Sequence, residues 1–344
     1  MPGPATPEPT IGAVVPVHDG ASEIGACLDG LLAAGFAPDE IRVVDDASTD
    51  GTAAICRARG VEPIRLARNV GAAEARNRGA AATEAEILFF VDSDVVAAPD
   101  ARRVIADFFA AHPDHAAIFG AYDARPAAPG RVSRIRNMLH RHVHLEGAGP
   151  ASTFWTGCGA VRRTDFEAEG GFDSGQRMME DVEFGLRLHA RGRPIAICPA
   201  LQGTHLKRWS LAGMARTDLL DRAIPWARLL AAPRHGAAPA TLNVSRAGHV
   251  SVLCVAASLV GLLVLAVAPG AGLALLLASF ALLAFANRRF LARLRREQGP
   301  GDAVAALPVL WVHYLCGGLG FFWVRSGLDR LCGPRGDAAG ARAR

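Results

Sequence analysis

The sequence lacks several things that would direct its reading elsewhere. Its seven cysteines, at 27, 56, 158, 198, 254, 316 and 332, form no CxxC pair and no zinc-type spacing. That excludes a disulfide scaffold or a metal finger, and they read as small buried hydrophobes of a reducing compartment. Lys207 is the only lysine in 344 residues. There is no internal repeat, and no low-complexity tract beyond a bias to alanine. The opening MPGPATPEPT has neither the basic nor the apolar region of a secretory signal, so the soluble part is expected in the cytoplasm. Charge is missing altogether from residues 247–287 and 303–324.

Those two gaps hold the excess hydrophobicity of a chain that is 51% hydrophobic. They also relocate its charge. From residue 247 onward ten arginines face Glu297, Asp302, Asp329 and Asp337, whereas the first 246 residues carry 27 basic and 29 acidic side chains. The basic surplus therefore flanks apolar segments and is not on a folded domain, which argues against a nucleic-acid partner.

Short apolar runs alternate with helical patterns through the first half, the signature of a mainly parallel α/β sheet. Strands are expected at 11–17, 41–44, 63–66 and 87–91, and helices at 22–34 and 72–83. Ser48, Thr49 or Asp50 is placed to cap a helix after the second strand. Beyond residue 115 the pattern is less regular, with one clear helix at 180–190 and a closing strand at 195–198. Residues 250–268 and 271–286 read as a tight transmembrane hairpin whose following arginines, 288 to 296, belong on the cytoplasmic side. Residues 303–324 are long enough to cross but contain Pro308, His313 and three glycines, so crossing and re-entry are both open, with crossing preferred. The expected division is an α/β domain over 1–205, an amphipathic interfacial segment over 206–245 that Pro225 breaks or kinks, a membrane anchor over 246–330 and a tail over 331–344.

Asp92, Ser93 and Asp94 follow a buried strand directly. Two carboxylates at i and i+2 of a turn are hard oxygen ligands suited to Mg²⁺ or Mn²⁺ bridging a diphosphate. Alone, such a pair is more often a turn former. Its companions are Val14-Val15-Pro16-Val17-His18-Asp19, Val43 to Thr52 with Asp45 and Asp46, and Gly71 with Ala75-Arg76-Asn77 and Gly79. Further on come Phe154 to Ala160, Gly170-Gly171-Phe172-Asp173, Glu180-Asp181 and His205-Leu206-Lys207-Arg208-Trp209.

In that order and spacing the chain resembles the family 2 glycosyltransferases of the GT-A fold, of the bacterial membrane-anchored type, from residue 14 to about 209. The resemblance implies a Rossmann-like domain that binds a nucleotide sugar, a UDP-sugar by our reading, in the region of Pro16. Asp46 and Arg76 would contact its base and ribose. Asp94 would hold the metal, with Asp92 supporting the sugar or ribose. Glu180 and Asp181 would be the catalytic pair, Asp181 being the base. His205, Arg208 and Trp209 stand where processive members carry QxxRW, and His205 replaces the Gln, which weighs against polymerisation.

A base is needed by a hydroxyl acceptor, whereas a phosphate acceptor is already ionised. The expected reaction is therefore inverting, metal-dependent transfer to a hydroxyl of a lipid or lipid-linked acceptor at the cytoplasmic face of the bacterial inner membrane, in cell-envelope synthesis. A polyprenyl-phosphate glycosyltransferase and a catalytically inactive membrane scaffold are the alternatives.

Overall fold

The structure is a computed structural model that describes residues 8–231 and 245–328. The expected tail over 331–344, part of the interfacial segment and Cys332 lie outside the described residues.

The chain opens with β1 (Ile11–Val17), α1 (Ile24–Ala33), β2 (Ile41–Asp45), α2 (Thr52–Arg57), β3 (Ile64–Arg65), α3 (Ala72–Ala81) and β4 (Ile87–Val91). Then come β5 (Val95–Ala97), α4 (Ala101–Ala111), β6 (Ala117–Tyr122), α5 (Arg131–Glu146), β7 (Gly149–Ala151), β8 (Cys158–Arg162), α6 (Arg163–Ala168), α7 (Glu180–Ala190) and β9 (Ile195–His205). The nine strands of the described residues join one sheet, in the order β3-β2-β1-β4-β8-β6-β9-β5, with β7 on β9. The nucleotide half, β3 to β4, is parallel, while β8 runs antiparallel to both β4 and β6, so the sheet as a whole is mixed.

β1 and β4 are buried along their whole length, as parallel strands covered on both faces must be. One apolar core lies on each side of them, Val15 and Phe89 facing one and Val14 and Phe90 the other. The β1–β4 ladder stops at Val14 and Phe90, whereas β1 continues along β2 to Val17 and Asp45. Pro16, which has no N–H to donate, lies beyond the last β4 pairing, where the strands part. A crevice at such a point is where doubly wound sheets receive ligands.

Among the differences from the sequence reading, which also lacked α4, β5, β7 and α6, two bear on the site. β9 does not stop at Cys198 but runs eleven residues to His205, pairing Val95 with His205. α5 has no counterpart in the apolar pattern, because its buried face includes Ser133, Arg136, Asn137 and His144. The helix cap expected after β2 is also shifted: α2 starts after Gly51, and Asp50 accepts from the Thr52 amide at 3.0 Å.

Beyond the sheet, α8 (Leu211–Arg216), a π-helical stretch (Thr217–Ala223) and α9 (Ile224–Ala231) form one unbroken helical run. Pro225 therefore does not break it: the π turn just ahead takes up the register that a missing amide disturbs. Among the described residues three helices are long and apolar enough to cross a membrane: α10 (Arg246–Leu265), α11 (Pro269–Ala286) and, after the basic α12 (Arg288–Gln298), α13 (Pro300–Arg325). α10 and α11 form the expected hairpin, with Gly272 against the Leu265 backbone.

α13 is a single helix of 26 residues, unbroken at Pro308. It packs on α5 and the 211–231 run on one side and on α10, α11 and α12 on the other. Asp302 takes Arg134 at 2.7 Å, while Ala306, Val309 and Leu310 share an apolar core with Ile135, Met138 and Leu139 of α5 and Met214 of α8. Further along, His313 reaches Asp218 at 2.8 Å and Gly320 lies against Ala223. Towards the hairpin, the described polar contacts are Trp311 to Ser258 at 2.8 Å and Tyr314 to Asn287 at 2.8 Å, and Asn287 in turn donates to Ser251.

The close seating of α7 generates a prediction. A Cβ on Gly185 would come within 2.1 Å of the Phe154 amide nitrogen, a backbone atom that cannot step aside. Gly185→Ala should cost about 1–3 kcal/mol as an overpacked contact and lower the thermal midpoint of the domain in a melting experiment.

Candidate active site

The loops after β1 and β2 lock together by side chain to backbone bonds. Asp19 Oδ1 accepts from the Thr49 amide at 2.7 Å, Asp50 Oδ2 from the Ala21 amide at 3.0 Å, and the ring of His18 lies 2.8 Å from the Asp46 carbonyl. Asp46 is 4% exposed, and its two oxygens accept from the amides of Val70 and Gly71 at 2.7 and 2.8 Å. It thereby fixes the turn into α3, where Gly71 has φ +91°, a value that favours glycine. Described residues other than glycine have positive φ only at Asp19, Ala47 and Met179, and each stands at a motif: after β1, after β2 and before Glu180. Strained backbone gathers at functional sites.

α3 then presents its motif residues in three directions. Gly79 lets the helix lie on β1, since a Cβ there would meet Val14 Cγ1 at 2.5 Å. The Asn77 amide donates to the Phe172 carbonyl at 2.8 Å and accepts from the Phe172 amide at 2.9 Å, holding the Gly170–Asp173 loop. Arg76, 5% exposed, donates to Asp92 Oδ1 at 2.6 Å and to Glu180 Oε1.

Burial raises the pKa of both Asp92 and Glu180, with Arg76 opposing the shift. Burial would weaken the Arg76 cation, but the charges of Asp92, Glu180 and Asp181 outweigh it and raise its pKa. Asp181 belongs to the same group of carboxylates but makes no ion pair. Its Oδ2 accepts from the Thr156 amide at 3.2 Å and the Thr156 hydroxyl at 3.3 Å, and its Oδ1 accepts from the Val182 amide at 2.8 Å.

Asp94 faces the other way. The β5–β9 pairing brings His205 Nε2 to 3.3 Å from Asp94 Oδ2. On its far side His205 Nδ1 lies 2.8 Å from Asn137 Oδ1, and the ring stacks on Tyr122 at 4.5 Å. Burial pushes the Asp94 carboxyl up, but hydrogen bonding and charge from His205, with Lys207 behind, hold it below the usual range.

As a donor set for a divalent ion, Asp94 and His205 fit once the Nε2 proton is displaced: an imidazole whose Nδ1–H is tied to an amide oxygen then turns an Nε2 lone pair to an ion beside the carboxylate. No group of three or more His, Cys, Asp or Glu that could hold a metal occurs among the described residues. The pair suits a hard cation that takes its other ligands from substrate phosphate and water.

The remaining expected residues lie on the rim. Trp209 is fixed by its amide to Ser133 Oγ at 2.9 Å and lies under Lys207, whose Nζ is 4.7 Å from the ring centroid. Arg208 is exposed, without a hydrogen bond or ion pair among the described residues. A shallow depression lined by Ala47, Ser48, Thr49, Arg65, Leu66 and Ala67 opens beside Asp46. Tyr122, Asn137 and Thr156 were not singled out from the sequence. Thr156 lay within a motif already noted, but Tyr122 and Asn137 enter only through a strand and a helix that meet His205 in space.

The removal of Arg76 tests this arrangement. Arg76→Met leaves the buried Glu180 and the half-buried Asp92 without their cation and should cost about 3–5 kcal/mol. Arg76→Lys should restore little, because one ammonium cannot reproduce a fork that serves both partners. Thermal unfolding of the two variants beside wild type is the measurement.

Comparison with known proteins places these observations. Residues 13–170 match the family described as Glycosyl transferase family 2. A validoxylamine A glucosyltransferase of Streptomyces hygroscopicus subsp. limoneus is 28% identical over 237 residues, covering 57% of this chain and 51% of that one. An uncharacterized glycosyltransferase of Haemophilus influenzae is 25% identical over 190 residues, covering 52% and 61%. The chain thus spans about half the length of the first of these relatives. Among solved structures, the mannosyltransferase PcManGT from Pyrobaculum calidifontis, in complex with GDP-Man and Mn²⁺, is similar in fold, with a TM-score of 0.55 at 20% identity over 93% of this chain and 89% of that one.

Proposed function

We propose that this chain, which belongs to the family 2 glycosyltransferases through residues 13–170, transfers a sugar from a nucleoside diphosphate sugar to a hydroxyl of a lipid or lipid-linked acceptor at a membrane surface, with inversion. The observation that carries the reading is the division of labour among the carboxylates. Arg76 engages Asp92 and Glu180, His205 engages Asp94, and Asp181 alone is oriented by neutral donors.

In this reading the base of the donor lies in the depression beside Asp46, and its diphosphate lies near Asp94 and His205. A Mg²⁺ or Mn²⁺ held by that pair would neutralise the charge that builds on the departing diphosphate. Lys207 and Arg208, on the loop after β9, add cationic charge on the same side. The acceptor hydroxyl attacks the anomeric carbon and its proton passes to Asp181, while the carbon–oxygen bond to the diphosphate breaks and the nucleoside diphosphate leaves with the electron pair. Glu180 is a positioning residue: through Arg76 it sets the first turn of α7, on which Asp181 stands.

The membrane helices supply the second half of the reading. α10 and α11 cross as a hairpin. α13 lies along the membrane surface, wedged between the domain and the base of that hairpin. A crossing helix would leave the domain behind, yet α13 stays packed on α5 and on the 211–231 run from Asp302 to Gly320. Its hairpin contacts fall at Ser251 and Asn287, near the ends of α10 and α11 that adjoin the domain, and at Ser258 just past the middle of α10. The arginines of α12 and Arg325 then fall on one side of the bilayer, in keeping with the positive-inside rule.

Two measurements test this reading. Asp181→Asn should lower transfer by about 10²–10⁴-fold while leaving donor binding intact, and Asp94→Ala should abolish metal-dependent thermal protection by the nucleoside diphosphate. Full transfer by Asp181→Asn would contradict a hydroxyl acceptor and favour a phosphate one. For the topology, a cysteine at Ser326 should react with an impermeant maleimide only in inverted membrane vesicles. Labelling from the periplasmic side would show that α13 crosses.

A further inference from the structure

We propose that the seam between α5, the 211–231 helical run and α13 is an anion subsite, in which Arg222 and Arg136, with the side-chain donors of Asn137 and Trp209, hold the phosphate or diphosphate ester of a lipid-linked acceptor. The inference rests on the membrane-acceptor reading above and names the chemistry that the acceptor must carry.

The first observation is an unbalanced charge. Arg136 is 5% exposed and donates to Asp218 Oδ1, while the other oxygen of Asp218 accepts from His313 at 2.8 Å. Both oxygens of this 3% exposed carboxylate are therefore taken. Arg222 stands one helical turn from Asp218 yet makes no hydrogen bond or ion pair with any described residue. Burial, and after it the charge of Arg222, bring the Arg136 guanidinium down to about 10. The half-buried Arg222 thus brings a second guanidinium up to a carboxylate whose oxygens are already engaged by the buried Arg136 and by His313, an arrangement that an anion would complete.

The second observation is independent of charge. Asn137, 2% exposed and next to Arg136 on α5, gives its Oδ1 to His205 and leaves its Nδ2 without a partner. Trp209, whose ring lies 5.8 Å from the Arg136 guanidinium, has a buried Nε1–H that is also unpaired. Orphaned buried donors are rare. Both of these can only donate, so the missing partner is an acceptor-rich group and not a cation.

The position supplies the identity. Asn137 joins the seam to the metal pair through His205, so the subsite is one side chain away from the donor diphosphate. Through His313 the same cluster reaches α13, which the reading above lays along the bilayer surface. A soluble phosphate has no reason to bind where an apolar helix closes the site. An acceptor with a lipid tail, a phosphate or diphosphate at headgroup depth and a sugar hydroxyl beyond it would span from α13 to Asp181. This also reconciles a catalytic base with a phosphorylated acceptor: the phosphate anchors, and the hydroxyl reacts.

The test uses the full chain in detergent, with chelator and no metal, and measures binding of farnesyl diphosphate, inorganic pyrophosphate and farnesol. Wild type and Asp94→Ala should bind farnesyl diphosphate alike, and Arg222→Gln should bind it at least about tenfold more weakly, the loss of one charge-assisted contact. Arg222→Lys should keep most of the affinity, which a merely misfolded seam would not. Pyrophosphate should bind more weakly than the lipid ester, and farnesol not saturably. Unchanged affinity in Arg222→Gln, or loss of binding in Asp94→Ala, would overturn the subsite, and equal affinity for pyrophosphate would overturn its lipid assignment. Since no metal or donor is present, failure of the donor reading would show separately, as an absence of nucleotide protection.

Discussion

The bridge from Arg76 to Asp92 and Glu180 is the contact on which the site depends. One buried guanidinium, carried on the third helix, holds the acid at the end of β4 and the acid that opens α7, which are 88 residues apart in sequence. The buried Glu180 would be costly to keep charged alone, and a lone guanidinium at that depth would be equally costly. Because each needs the other, the nucleotide half of the sheet and the α7 half are fixed in one relation. Asn77, one residue on, repeats the connection with the neutral clasp to Phe172. Asp94 and Asp181, which Arg76 does not engage, are the two carboxylates to which the proposed reading gives the chemistry.

A second constraint sets the domain on its membrane helices. α5 acts as the keel. Its inner face reaches the site through Asn137 and the sheet through His144, while its outer face packs on α12 and α13. The charged links along it, Arg134 to Asp302, Arg141 to Glu297 and Glu146 to Arg289 and Arg293, are each worth little where exposed. The apolar contact of Ile135, Met138 and Leu139 with Phe290, Leu294, Ala306 and Leu310 gives them a fixed geometry. In the proposed reading the site and the membrane surface share this helix, which would suit an acceptor that cannot leave the bilayer.

What could be read from the sequence follows from where the information is local. β1, β4 and α7 coincide with their expected limits, because a run of buried β-formers or an acidic first turn ahead of a helical stripe is written in consecutive residues. The motif residues of α3 were identifiable as a group, but Arg76 turns out to serve two carboxylates inside the protein, which no spacing reveals. α5 was missed because the polar residues it buries are satisfied only by partners far away in sequence. β9 was cut short because Pro199 follows Cys198 and reads as a stop, although the strand continues with Pro199 exposed and brings His205 to Asp94. For α13 the hydropathy was legible but its packing was not, since composition does not show that Ala306, Val309 and Leu310 meet α5 and α8.

The central claim is that the Asp94–His205 end of the site receives a nucleoside diphosphate sugar. The most direct measurement is hydrolysis of a panel of nucleotide sugars by the detergent-solubilised chain, with and without Mn²⁺. The account predicts slow release of nucleoside diphosphate from at least one donor, dependent on the metal and lost in Asp94→Ala. Absence of both turnover and binding across the whole panel would contradict it.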